Sequence, residues 1–102
     1  MKLLNVGFGN TVAIERIVAV INAGSSPSRK LKELATQGGK LLDVTEGRRT
    51  RSMLVMDSSH LILSSVQPDT IGQRLAALEQ ETQLADYHQP KRLEKKVQQD
   101  KA

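Results

Sequence analysis

The sequence predicts a small α+β domain, a mostly antiparallel sheet carrying two helices in the order β-β-α-β-β-β-α. Three observations predict it. Short apolar and β-branched runs recur between turn-forming residues, the mark of strands. Ser26-Pro27 opens a stretch of helical spacing that Gly38-Gly39 closes. The chain has 102 residues, enough for one core.

Leu3 to Phe8 is short and leans to β structure. Gly7-Phe8-Gly9-Asn10 reads as a turn, because glycine and asparagine tolerate positive φ. Ile14 to Ile21 carries Ile14, Ile17, Val18, Val20 and Ile21, a run expected to form a buried strand. Asn22-Ala23-Gly24-Ser25 breaks it. Ser26 is then the expected N-cap, with Pro27 at the first helical position, where its missing N–H is no loss. Leu31, Leu34 and Ala35 form one apolar stripe, and Gly38-Gly39 ends the helix. Leu41 to Thr45 is expected as a strand, Glu46-Gly47 as a turn, and Arg51 to Met56 as a central strand, since Met53 to Met56 is continuously apolar. Asp57-Ser58-Ser59 turns the chain so that Leu61 to Val66 pairs back, completing an antiparallel meander that Gln67-Pro68 stops. Thr70 with Gln73 has the capping-box pattern, and Ile71, Leu75 and Leu78 give a second helix a weak stripe.

From Glu79 the chain is polar. Only Leu84, Leu93 and Val97 could anchor it, and Pro90 interrupts it. The expected organisation is a body over 1–80 and a polar, charged tail over 81–102, a frayed helix or disordered. Net charge is +4, and residues 1–70 hold nine basic against six acidic side chains. That excess favours a polyanionic partner. There is no cysteine, which excludes disulfides, thiol catalysis and cysteine-held metals. With His60 and His88 as the only histidines, no metal site and no cofactor are expected. Phe8 and Tyr87 are the only aromatics, which argues against modules that stack unpaired bases. One lysine precedes a short apolar run at the N-terminus, and no stretch has signal-peptide or membrane-spanning length. A soluble cytoplasmic protein is the expectation.

Catalytic constellations are poor. Gly7-x-Gly9 lacks the third glycine and the following helix of a dinucleotide fingerprint, so a tight turn is the better reading. Asp57-Ser58-Ser59 and His60 lie in one hairpin, whereas triads assemble from separate elements. Asp43 and Glu46 have no histidine near them in sequence. The informative segment is Glu46-Gly47-Arg48-Arg49-Thr50-Arg51, expected at a hairpin tip. Arginine's planar fork suits phosphate oxygens and guanine edges. Strand alternation would put Arg49 and Arg51 on one face and Arg48 on the other. The bland alternative is a solvated turn balanced by Glu46, Asp43 and Asp57. Arg16, set among apolar residues, is a second candidate, either ion-paired within the sheet or facing a partner. Arg29, Lys30 and Lys32 add basic charge to the outer part of the first helix.

Four segments carry a further likeness: Leu4-Asn5-Val6-Gly7-Phe8-Gly9-Asn10, Asp43-x-Thr45-x-Gly47-Arg48-Arg49-Thr50-Arg51, Val55-Met56-Asp57-Ser58 and Ser65-Val66-Gln67-Pro68. Together they resemble the RemA family, small bacterial regulators of extracellular-matrix genes. The resemblance spans roughly residues 3–75 and leaves out the tail. It implies a non-enzymatic transcriptional regulator, located with the nucleoid, that assembles into a homo-oligomeric ring and presents arginines to duplex DNA. The residues it points to are Arg16, Arg48, Arg49 and Arg51 for DNA, and Pro27 for function or assembly. Ala23-Gly24-Ser25-Ser26 departs from the family's usual loop. Glu46 stands where a neutral or aromatic residue is expected, which lowers the local charge. The competing expectation is an oligomeric adaptor, or a module that binds a nucleotide or RNA through the same arginines.

Overall fold

A computed structural model describes residues 1–87, with side chains through residue 80. The elements are β1 (Leu3–Gly7), β2 (Asn10–Ala13), a 3-10 turn (Ile14–Arg16), β3 (Ile17–Asn22), α1 (Ser26–Gln37), β4 (Leu41–Asp43), β5 (Ser52–Met56), β6 (Leu61–Ser64) and α2 (Pro68–Tyr87). This is the expected α+β class with two helices, but the order is β-β-β-α-β-β-β-α and the strands divide between two sheets. The run from Ile14 is not one strand. Asn10–Ala13 folds back on β1, with Leu4 opposite Val12. One 3-10 turn, closed by the Ile17 N–H on the Ile14 carbonyl, then redirects the chain into the second sheet.

The second sheet has the order β3-β5-β6-β4. β3/β5 and β5/β6 pair antiparallel, while β4 lies parallel to β6 with Leu41 opposite Leu61. α1 is the crossover that carries the chain from β3 to β4 in the same direction, and because β3 and β6 both run antiparallel to β5, β4 lies parallel to β6. The chain leaves β3 at one edge, crosses a face as α1 and enters β4 at the other edge. The expected meander therefore fails at β4, which is not adjacent to β5. The segment between them is no hairpin tip: it spans the end of β6, with the Val44 N–H on the Leu63 carbonyl (3.0 Å) and the Arg51 N–H on the Ser64 carbonyl (2.8 Å).

Strand alternation sorts the core into two halves. Leu54, Met56 and Ile62 face the β1/β2 hairpin and α2, packing with Leu4, Val6, Val12 and Ile71. Met53, Leu61 and Leu63 face α1, packing with Ala35 and the half-buried Leu31. Three layers result, with the four-stranded sheet in the middle. Two buried serines bond to backbone: Ser64 Oγ donates to the Val6 carbonyl, joining the sheet to β1, and Ser52 Oγ to the Val66 carbonyl just after β6, both at 2.8 Å.

Both helices start earlier than expected. Ser25, not Ser26, occupies the cap position of α1, and Pro27 falls in its first turn. Ser25 makes no side-chain cap bond; its hydroxyl donates to the Asn22 carbonyl at 2.7 Å. Ser28 Oγ fastens this turn, with the Ala23 and Ser25 carbonyls at 2.7 and 2.8 Å. α2 opens at Pro68, where a missing N–H is tolerated, rather than at a Thr70 cap. It runs through Tyr87, past the expected boundary at 80/81. The expectation of a frayed or disordered tail lies, for 88–102, outside the described residues. No described helix is long and apolar enough to cross a membrane.

Candidate nucleic-acid interface

The arginine segment begins at an anchored carboxylate. Asp43 Oδ1 accepts the Thr45 hydroxyl at 2.7 Å and the Thr45 N–H at 2.9 Å. Those two bonds, the hydroxyl's first, hold the Asp43 carboxyl below its ordinary 3.8, and Lys32 adds a smaller electrostatic contribution. The contribution of this clamp to stability is complete above about 3.8 and is lost as pH falls through the lower folded value. Thr45→Val removes the hydroxyl donor only. It is expected to move the Asp43 titration upward, measured by carboxyl-carbon NMR between pH 2 and 6.

The chain next makes a tight turn. The Arg48 N–H bonds the Thr45 carbonyl at 3.0 Å, and Glu46 and Gly47 both have positive φ, 55° and 79°. Two positive central φ values are the signature of a type I′ turn, which favours asparagine and glycine over glutamate. Arg48 and Arg49 leave this turn exposed. Because β5 starts only at Ser52, strand alternation does not assign the arginines to faces. Arg51 is exposed in side chain, while its carbonyl accepts the Ala23 N–H at 3.1 Å. Among the described residues, no carboxylate stands within ion-pair reach of Arg48, Arg49 or Arg51. Glu46→Asn is expected to stabilise the fold by about 0.5–1 kcal/mol, by relieving the left-handed strain, in urea unfolding.

The β1/β2 tip meets this loop. The Arg48 guanidinium carbon lies 5.8 Å from the centroid of the Phe8 ring, within cation–π range. Gly7, Phe8 and Gly9 all have positive φ. The Gly7 N–H bonds Asn5 Oδ1 at 2.7 Å, and Asn10 Nδ2 donates to the Gly7 carbonyl at 3.0 Å, so the tip is braced. A Cβ on Gly7 would sit 3.4 Å from Val66 Cγ2, so the tip also packs closely on the chain after β6. Sequence reasoning gave Phe8 no role beyond the turn. The available signal was an aromatic at the centre of Gly-x-Gly in a chain with only two aromatics.

Pro27 belongs to the same end of the sheet as the arginine loop. Asn22 pairs with Ser52, and α1 starts directly after that pair. Arg16 does not belong there. It sits at the far end of β5, where its carbonyl accepts the Asp57 N–H and its Nη1 lies 3.0 Å from Asp57 Oδ2. The six residue-to-residue steps from Arg51 to Asp57 separate the two ends by about 20 Å along the strand. In the same turn Asp57 pairs with Arg16 while His60 Nδ1 contacts Ser58 Oγ at 2.7 Å, and among the described residues no hydrogen bond joins His60 to Asp57. Among the described residues, no three His, Cys, Asp or Glu side chains gather as a metal site.

Residues 3–75 match the family model described as RemA-like, extracellular matrix regulatory protein A-like. The chain belongs to the RemA-like family. It is 67% identical over 86 residues to a protein of Desulfotalea psychrophila, covering 84% of this chain and 77% of that one. It is 56% identical over 73 residues to a protein of Nitratidesulfovibrio vulgaris, covering 72% and 83%. It is 56% identical over 75 residues to a protein of Syntrophobacter fumaroxidans, covering 74% and 80%. All three carry the name "Putative regulatory protein". The arginine turn, the Phe8 tip and the Arg16 corner all fall within the RemA-like match.

Proposed function

We propose that this RemA-like chain is a non-enzymatic, DNA-binding transcriptional regulator that works as a homo-oligomeric ring in the cytoplasm, on the nucleoid, and controls matrix or biofilm genes. The observation that carries the reading is the type I′ turn that holds Arg48 and Arg49 outward beside Arg51, with no carboxylate among the described residues paired to any of them. Guanidiniums left unpaired on a braced loop gain little within the fold and are available to phosphate oxygens. Residues 1–80 are the binding and oligomerising body in this reading, and Pro27 is set at the arginine end to shape that surface.

Arg16 is the fourth DNA contact in this reading. Its distance from the loop means that one subunit touches a duplex at two separate points. Several subunits around a ring repeat both points and raise the avidity of a small footprint. The experiment is duplex-DNA binding by fluorescence anisotropy across a salt series, with subunit mass from light scattering. Affinity should fall steeply with salt, at about −0.9 in log–log slope for each phosphate neutralised. Salt-independent binding rejects the proposal. Displacement of the duplex by a mononucleotide at comparable concentration, or preference for RNA, would favour an anionic-ligand module instead.

A further inference from the structure

We propose that Phe8 is itself a DNA-contacting residue: its ring, backed on one side by the Arg48 guanidinium, forms an apolar wedge that enters the minor groove alongside the arginine loop. The inference rests on the DNA-binding reading above and adds a non-ionic contact to it.

The conformation of the residue is the first argument. Phe8 has φ of 53°, in the left-handed region that disfavours a bulky side chain, and lies between two glycines of positive φ. Glycine or asparagine would occupy this tip with less strain. The ring does not repay the strain by burial, since 52% of the residue is exposed. It lies outside both apolar clusters of the core. Its one described side-chain partner is a cation that is also exposed and has no ion-pair partner among the described residues. A strained, exposed aromatic that contributes nothing to the core therefore calls for a partner outside the fold.

The surroundings select the chemistry. An aromatic tip in contact with Arg48, on a loop whose arginines have no ion-pair partner among the described residues, is too cationic to suit an apolar protein surface. A duplex offers phosphates to the arginines and, between the phosphate walls, sugar and base edges to an apolar side chain. The bracing by Asn5, Asn10 and the close packing of Gly7 on Val66 hold the tip in place before binding, so little ordering is required on contact.

The test compares wild type, Phe8→Asn, Phe8→Leu and Arg48→Ala by anisotropy over a salt series, with a doubly labelled duplex reporting its bend by energy transfer. Thermal melting checks the fold; Phe8→Asn should melt no lower than wild type, because asparagine tolerates the left-handed conformation. The wedge predicts that Phe8→Asn loses roughly tenfold or more in affinity with the salt slope unchanged, because every cation remains. It also predicts a smaller bend, and partial recovery of both in Phe8→Leu. Arg48→Ala should instead lower the slope. Unchanged affinity and bend in Phe8→Asn overturn the wedge while leaving the DNA reading intact. A Phe8→Asn variant that reproduces the reduced slope of Arg48→Ala shows that the ring only positions the arginine, and likewise overturns it. Failure of wild type to bind the duplex at low salt rejects the DNA reading and the wedge with it.

Discussion

Replacing Arg48 and Arg49 together by alanine is expected to lower duplex affinity by about two to four orders of magnitude while leaving the fold and the subunit mass unchanged. Hydrogen bonds to charged groups are worth about 1.5–3 kcal/mol each, and both side chains would lose theirs. The salt slope should become shallower by about 1.8 for each subunit in contact, since two phosphates are no longer neutralised. Stability should change by no more than about 0.5 kcal/mol, the usual range for exposed positions away from special features. The lost Arg48–Phe8 contact is offset by relief of repulsion between neighbouring guanidiniums. Anisotropy over a salt series, light scattering and urea unfolding on the same samples separate these quantities. Equal affinity and slope in the double variant and wild type would remove the loop from the DNA-binding reading. Loss of assembly together with affinity would make the loop a subunit contact instead.

The arginine segment was legible in the sequence because its information is local: glycine at a turn, clustered charge and a following apolar run. The β5/β6 hairpin was legible for the same reason, from two apolar runs around Asp57-Ser58-Ser59. Helix α1 was bounded by Pro27 and Gly38-Gly39 to within a residue at its start. What failed depends on pairing between distant segments. Leu41–Asp43 is too short to reveal by alternation which neighbour it takes, and its parallel pairing with β6 is fixed by the α1 crossover. That error carried over to the site, because a strand-to-strand hairpin would have projected the arginines as a tip, whereas the loop lies across the end of β6. The Phe8–Arg48 contact joins residues from opposite halves of the body and has no signature along the chain. For Arg16 the sequence leaves an ion pair and an outside partner both open; the structure pairs it with Asp57, in the turn just after β5. The distance between Arg16 and the loop followed only from the register.

Ser64→Ala is expected to be the most damaging of the small substitutions, by about 2–4 kcal/mol, because one hydroxyl there satisfies two backbone groups. Ser64 is fully buried, its Oγ donating to the Val6 carbonyl at 2.8 Å and accepting the Val66 N–H at 3.0 Å. Alanine strands both partners, and an unsatisfied buried backbone group costs about 1–3 kcal/mol. For a domain of this size that corresponds to a drop of roughly 10–25 °C in Tm. Ser52→Ala is the internal comparison: equally buried, it forfeits a single bond, to the Val66 carbonyl, and should cost about half as much. The two serines also differ in what they hold. The Ser64 bond to Val6 ties the four-stranded sheet to β1, one residue before the Gly7-Phe8-Gly9 tip, so its loss should loosen the tip relative to the arginine loop. Hydrogen exchange at Val66 should accelerate, and duplex affinity below the melting range should fall with little change in salt slope, since no charge is removed. If Ser64→Ala and Ser52→Ala prove equal in stability and exchange, the hydroxyl does not anchor the hairpin, and apolar packing of Leu4 and Val6 alone positions the Phe8 tip.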